Sequence, residues 1–165
     1  MKKQCMVLLV ENNSGVLARV SSLFMQRGFN IDSLTVSSTE NPKISRITIM
    51  TTGDQKTFSQ IMKQTGKLVE TKMIFSVEPT FSLIQELLLV KLSTENADVE
   101  QLKKIIKDFG ASAVDITSGC LIAELAASSA KIDGFLEAVS DFKMLEMCRS
   151  GAIAMERGDV LYDLN

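Results

Sequence analysis

The sequence predicts an α+β chain in which one βαββαβ unit is written twice. Three observations carry this: apolar runs of strand length alternate with helical stripes, the same element order recurs in each half, and Glu78-Pro79-Thr80 falls between the halves. Two small sandwiches follow, residues 1–78 and 79–165; one continuous eight-stranded domain is the alternative. With 165 residues, 45% of them hydrophobic, the chain has enough apolar material for packed cores.

In the first half, Met6–Val10 is an apolar strand, and Val16, Leu17, Val20, Leu23 and Phe24 then recur at helical spacing up to Gly28, a C-terminal stop. Asn13 or Ser14 can cap that helix. Strands Ile31–Ser38 and Ile44–Thr51 flank the turn residues Glu40-Asn41-Pro42-Lys43. Phe58, Ile61 and Met62 share one face of a second helix, capped by Asp54 and ending near Gly66. The strand Leu68–Val77 closes the unit, with Val69, Thr71, Met73, Phe75 and Val77 on one side.

In the second half, Leu83–Leu92 reads as a strand, and Val99, Leu102, Ile105, Ile106 and Phe109 as a helical stripe stopped by Gly110. Ala113–Thr117 and Leu121–Ala126 flank Ser118-Gly119. Ile132, Phe135, Leu136 and Val139 mark a fourth helix, and Met144–Met155 contains the last strand. Right-handed crossovers put both helices of each unit on one sheet face. The other face stays partly apolar, as Met50 and Ile74 indicate, so dimerisation or docking on a larger protein is expected.

Composition narrows the function. The chain has no histidine, which removes the commonest general base and metal ligand and leaves no Ser-His or Cys-His nucleophile. Cys5, Cys120 and Cys148 are odd in number and widely spaced, against a disulfide framework and in keeping with a reducing cytoplasm. No apolar run approaches the ~18 residues of a membrane span, and no signal pattern opens the chain. A net charge of −2 and strands without aromatic platforms argue against nucleic acid.

The best-equipped stretch is Glu11–Arg19. It places two side-chain amides, a hydroxyl and Gly15 where a helix leaves its first N–H groups unpaired, a seat for a small carboxylate. Asn12 offers donor and acceptor to a zwitterionic amino acid, and Gly15 admits close approach. Asn30 opens a strand at the sheet edge; pairing of that edge with a second copy brings Asn30 of one chain to the Gly15 loop of the other. Glu124, on an apolar strand, is expected partly buried and paired. Arg149-Ser150-Gly151 and Arg157-Gly158 suit a phosphate or a partner's carboxylate, or a structural role. Otherwise the carboxylates read as solvated faces.

Asn12-x-x-Gly15-Val16-Leu17-x-Arg19, Leu23-Phe24, Arg27–Val36 and Ser45–Ile49 resemble the small regulatory subunit of acetolactate synthase (acetohydroxyacid synthase). The similarity continues through Glu86–Lys91, Val114–Thr117, Lys131–Phe135 and Arg149-Ser150-Gly151 to Arg157-Gly158. The resemblance implies two tandem ferredoxin-like βαββαβ sandwiches, the first (1–78) an amino-acid-sensing ACT domain. It implies a chain that is not catalytic alone but activates a large catalytic subunit and confers feedback inhibition, usually by valine, in branched-chain amino acid biosynthesis. Thiamine diphosphate, magnesium and FAD belong to that partner; no cofactor or metal is expected here. Carried over by residue, Asn12, Gly15, Val16 and Leu17 hold the effector, and Asn30 and Ile31 of a second protomer close the site in a homodimer. Neither nucleic acid nor membrane is an expected partner. A stand-alone ACT-type sensor serving another enzyme or a transcription factor is the alternative.

Overall fold

A computed structural model describes residues 2–159, so Val160–Asn165, expected to be a free tail or docking surface, lie outside the described residues. The chain runs β1 (Lys2–Glu11), α1 (Val16–Gln26), β2 (Ser33–Ser38), β3 (Ile44–Gly53), α2 (Gln55–Thr65) and β4 (Thr71–Val77). A single 3₁₀ turn at Pro79–Phe81 leads into β5 (Ser82–Ser93), α3 (Val99–Asp108), β6 (Ser112–Ile116), β7 (Cys120–Ala127), α4 (Ser129–Ala138), β8 (Met144–Arg149) and β9 (Ile153–Glu156).

The first sheet is antiparallel in the order β2-β3-β1-β4, with β2 at an edge as expected. Its helix-side core is set by period-two alternation along β1: Met6, Leu8 and Val10 meet Val16, Val20 and Phe24 of α1 and Phe58 and Ile61 of α2. Helix α1 stops because Gly28 takes φ +66°, letting the Phe29 N–H reach back to the Phe24 carbonyl at 2.9 Å. Helices α2, α3 and α4 begin on capping side chains, Asp54, Asp98 and Ser128.

Three local expectations change. Leu68–Glu70 do not join β4: the Leu68 N–H bonds the Thr65 carbonyl and the Thr71 N–H bonds that of Leu68, so the end of α2 winds into a turn, with Val69 exposed. Ile74 packs into the helix-side core, because its cross-strand partner is Leu8. The opposite face is instead built on Cys5, Val7 and Leu9, each at most 3% exposed. Neither Asn13 nor Ser14 caps α1; its N-cap is Gly15.

The second sheet has five strands: four in the equivalent order β6-β7-β5-β8, with β9 also paired to β5. Leu88, Val90 and Leu92 of β5 and Leu121, Ala123 and Leu125 of β7 pack on Leu102 and Ile106 of α3 and Ile132 and Phe135 of α4. The chain forms two compact units. One takes the residues up to Leu83 together with those from Ala152, and the other takes Ile84–Gly151. This division differs from a second domain running 79–165, because the last strand is grouped with the first unit.

In that first unit the Ala152 N–H donates to Ser33 Oγ (2.9 Å), and Arg46 Nη2 donates to the Ala154 carbonyl (2.6 Å). The Arg46 guanidinium also lies over the Phe75 ring. Glu124 is half-buried, as expected, while the fully buried and paired carboxylate of the second unit is Glu86: Ser129 Oγ donates to one oxygen and Arg149 Nε to the other (2.5 Å). Arg149 Nη1 reaches Asp133 at 2.6 Å.

Removing Arg149 strands a carboxylate whose side chain is only 7% exposed. Arg149→Met is expected to cost about 3 kcal/mol in urea unfolding, and Asp133→Asn, at an exposed partner, less than about 1 kcal/mol. Burial pushes the Cys5 thiol up to about 11, against a smaller lowering by Arg46. The unfolded thiol ionises first, so this contribution to stability is whole below about pH 9 and fades as pH rises towards about 11. At pH 8 a thiol reagent is expected to modify exposed Cys148 in the native chain and Cys5 only after unfolding.

Candidate functional site

The loop after β1 is held from both ends. The Asn12 N–H donates to the Lys43 carbonyl (2.8 Å), and Asn12 Nδ2 donates to the Pro42 carbonyl (3.0 Å). Asn13 Nδ2 turns back to Glu11 Oε2 (3.0 Å), so it is directed away from the start of α1. Gly15 then takes φ +84°, the left-handed region a residue without Cβ enters most easily, and no side chain caps the helix. A Cβ at Gly15 would meet nothing within 4 Å, so the helix start faces open space.

An open depression of about 480 Å³ borders this loop, lined by Glu11, Asn12, Asn13, Pro42, Lys43 and Lys72 among others. Lys72 pairs with Glu11 at 2.6 Å there, and Arg19 pairs with the largely buried Glu70 on the adjoining turn. Leu17 is 41% exposed beside the helix start, whereas the Val16 side chain is buried in the core and offers only its backbone. At Val16, then, only the backbone faces the helix start, and Leu17 supplies the exposed apolar side chain.

Asn30 and Ile31 lie elsewhere in the same unit. Asn30 is exposed, its Nδ2 donates to Asp32 Oδ1, and its carbonyl accepts from Thr51 Oγ1 (2.8 Å). Ile31 packs on the edge of the core. Thr51 pairs with Gln4, and Ile44 pairs with Glu11 at the loop end of β1. Seven residues at ~3.3 Å each put Asn30 on the order of 23 Å from the Gly15 loop. One chain thus brings Asn12, Gly15 and Leu17 together and leaves Asn30 and Ile31 at the far end of its sheet.

Other candidates resolve as structure. Arg149 is committed to Glu86 and Asp133, a role that its Gly-bearing surroundings did not distinguish from anion binding. Asp32 accepts from Thr52 Oγ1 as well as from Asn30. Among the described residues no three His, Cys, Asp or Glu side chains gather as a metal-ligand set, and no helix is long and apolar enough to cross a membrane.

Comparison with known proteins agrees with this architecture. Residues 6–72 match the family described as AHAS small subunit-like ACT domain, and residues 85–158 match the small subunit of acetolactate synthase. The acetolactate synthase isozyme 3 small subunit of Escherichia coli K12 is 38% identical over 158 residues, covering 95% of this chain and 97% of that one. The probable acetolactate synthase small subunit of Methanothermobacter thermautotrophicus is 39% identical over 154 residues, 91% of this chain and 90% of that one. The crystal structure of the small subunit from Thermotoga maritima superposes with a TM-score of 0.89 at 32% identity, over 97% of this chain and all of that one. With two sheets of matching order and similarity along nearly its full length, the chain belongs to the acetolactate synthase small-subunit family.

Proposed function

We propose that this chain is the valine-responsive regulatory subunit of acetolactate synthase. It raises the activity of a large catalytic subunit, which carries thiamine diphosphate, magnesium and FAD, and it transmits feedback inhibition. The observation that carries the sensing role is the start of α1, open at Gly15 with no side-chain cap while the other three α-helices are capped. Free N–H donors at a positive dipole end favour a carboxylate. The exposed Leu17 side chain gives a branched ligand an apolar contact, and the remaining acceptor of Asn12 suits its ammonium group.

The ~23 Å between the two sets of residues supports a site shared between copies. A second protomer, paired through the β2 edge, supplies Asn30 and Ile31 to the first protomer's loop. Two-fold symmetry then gives two equivalent seats per dimer. An apolar contact discriminates one methylene by only ~1–3 kcal/mol, so leucine and isoleucine compete for the same seat.

Titrating valine into the chain mixed with its cognate large subunit is expected to show activation before valine and inhibition after it. Gly15→Asp clashes with nothing but is strained at φ +84° by about 1–2 kcal/mol; it is expected to keep the fold and the activation but weaken valine binding more than about 100-fold by calorimetry, through a like charge at the seat. Normal affinity in that variant removes the loop from the site. Mixing Gly15→Asp with Asn30→Ala chains is expected to restore about one quarter of wild-type sites, since half of randomly assorted dimers carry one intact seat. No restoration on mixing rules out the shared seat.

A further inference from the structure

The turn between β2 and β3 is built to meet Asn12. The Ile44 N–H donates to the Asn41 carbonyl (2.9 Å), closing a turn with asparagine first and proline second, residue types that such turns favour. Two side chains stiffen it. Thr39 Oγ1 accepts from the Asn41 N–H (3.2 Å) and lies within donating reach of the Asn41 and Ile44 carbonyls (3.0 and 3.1 Å). Asn41 Oδ1 accepts from the Lys43 N–H (3.0 Å). So held, the turn presents the consecutive carbonyls of Pro42 and Lys43 to Asn12, which meets them with its Nδ2 and its backbone N–H. A carbonyl accepts and cannot donate, so the nitrogen of the Asn12 amide has to face the turn. Its oxygen, Oδ1, is thereby turned away from Pro42.

We propose that Thr39 and Asn41 are positioning residues which, through the Pro42 carbonyl, fix the orientation of the Asn12 amide and make the seat select an ammonium-bearing ligand over the 2-oxo acid of the same carbon skeleton. The proposal rests on the effector reading above and adds how the seat reads the group at C2. An amino acid and its 2-oxo analogue bring the same carboxylate to the start of α1 and the same branched chain to Leu17, so neither contact tells them apart. They differ where Asn12 meets C2. An ammonium group donates a charge-assisted hydrogen bond to Oδ1, whereas a ketone sets a second acceptor against it. A loosened turn lets the amide rotate and offer Nδ2 to the ketone, so the preference fades while the contacts common to both ligands remain.

Calorimetry of the full chain with valine and with 3-methyl-2-oxobutanoate is expected to show at least about 30-fold tighter binding of valine, the scale of one hydrogen bond to a charged group. Thr39→Val combined with Asn41→Ala removes both stiffening side chains and is expected to cut that preference at least about tenfold, with valine losing more than the oxo acid. Asn41→Ala alone, which removes only the acceptor for Lys43, is expected to cut it about threefold and serves if the double variant does not fold. Thr39→Ser keeps the hydroxyl and should leave the preference within about twofold of wild type. Equal weakening of both ligands in these variants overturns the positioning role, since a merely looser loop lowers both alike. Equal or tighter binding of the oxo acid by the wild type overturns selection through Asn12 and leaves the effector reading standing. Absence of valine binding in the wild type overturns the effector reading and this proposal together.

Discussion

The length of β1 is the constraint from which the functional architecture follows. Its paired residues place Thr51, and with it Asn30, at one end of the first sheet and the Asn12–Leu17 loop at the other. No rotamer change in one chain closes a gap of ~23 Å, since an asparagine side chain spans only a few ångströms. Any ligand that touches both sets must sit between copies. In the proposed shared seat, occupancy and assembly are linked quantities, because whatever binds the assembled seat and not the separated halves favours assembly by mass action.

The start of α1 differs from the other α-helix starts in its chemistry. Asp54, Asp98 and Ser128 each satisfy a first-turn N–H from their own side chains. Gly15 cannot, Asn13 is bonded to Glu11, and Ser14 does not cap. A glycine in place of a capping side chain costs a helix only a few tenths of a kcal/mol. In α1 this is offset by burying Val16, Val20 and Phe24, at most 3% exposed, so the helix holds its place with its Val16 N–H on the Asn13 carbonyl (3.5 Å) and no side chain on its first turn.

Much of this architecture is legible in the sequence, because it is written in short-range periodicities. The two βαββαβ runs, the edge position of β2, the Asp54 cap and the stop at Gly28 all follow from spacing and local backbone chemistry. Where local signals compete, the reading fails. Val69 alternates correctly for a strand, but the hydrogen-bonded turn ending α2 captures it. Ile74 looks like an outer-face residue until its pairing with Leu8 fixes its side. Asn13 and Ser14 are good capping residue types, yet the tertiary bonds of Asn12 and Asn13 settle the loop. The Glu86–Arg149 pair spans 63 residues and the Ser33–Ala152 bond 119, and no periodicity encodes contacts of that range.

The return of the last strand to the first unit bears on how this protein is made. Ribosomes deliver residues up to Leu83 early, but the segment from Ala152 that fastens to Ser33 and Arg46 emerges among the last. At about 5–20 residues per second, the intervening stretch takes on the order of several seconds to translate. Throughout that interval Ser33 and Arg46 lack their C-terminal hydrogen-bond partners. Premature stops after the first unit would leave those two ties unmade, so the first sheet reaches its final set of hydrogen bonds only when the last strand has emerged.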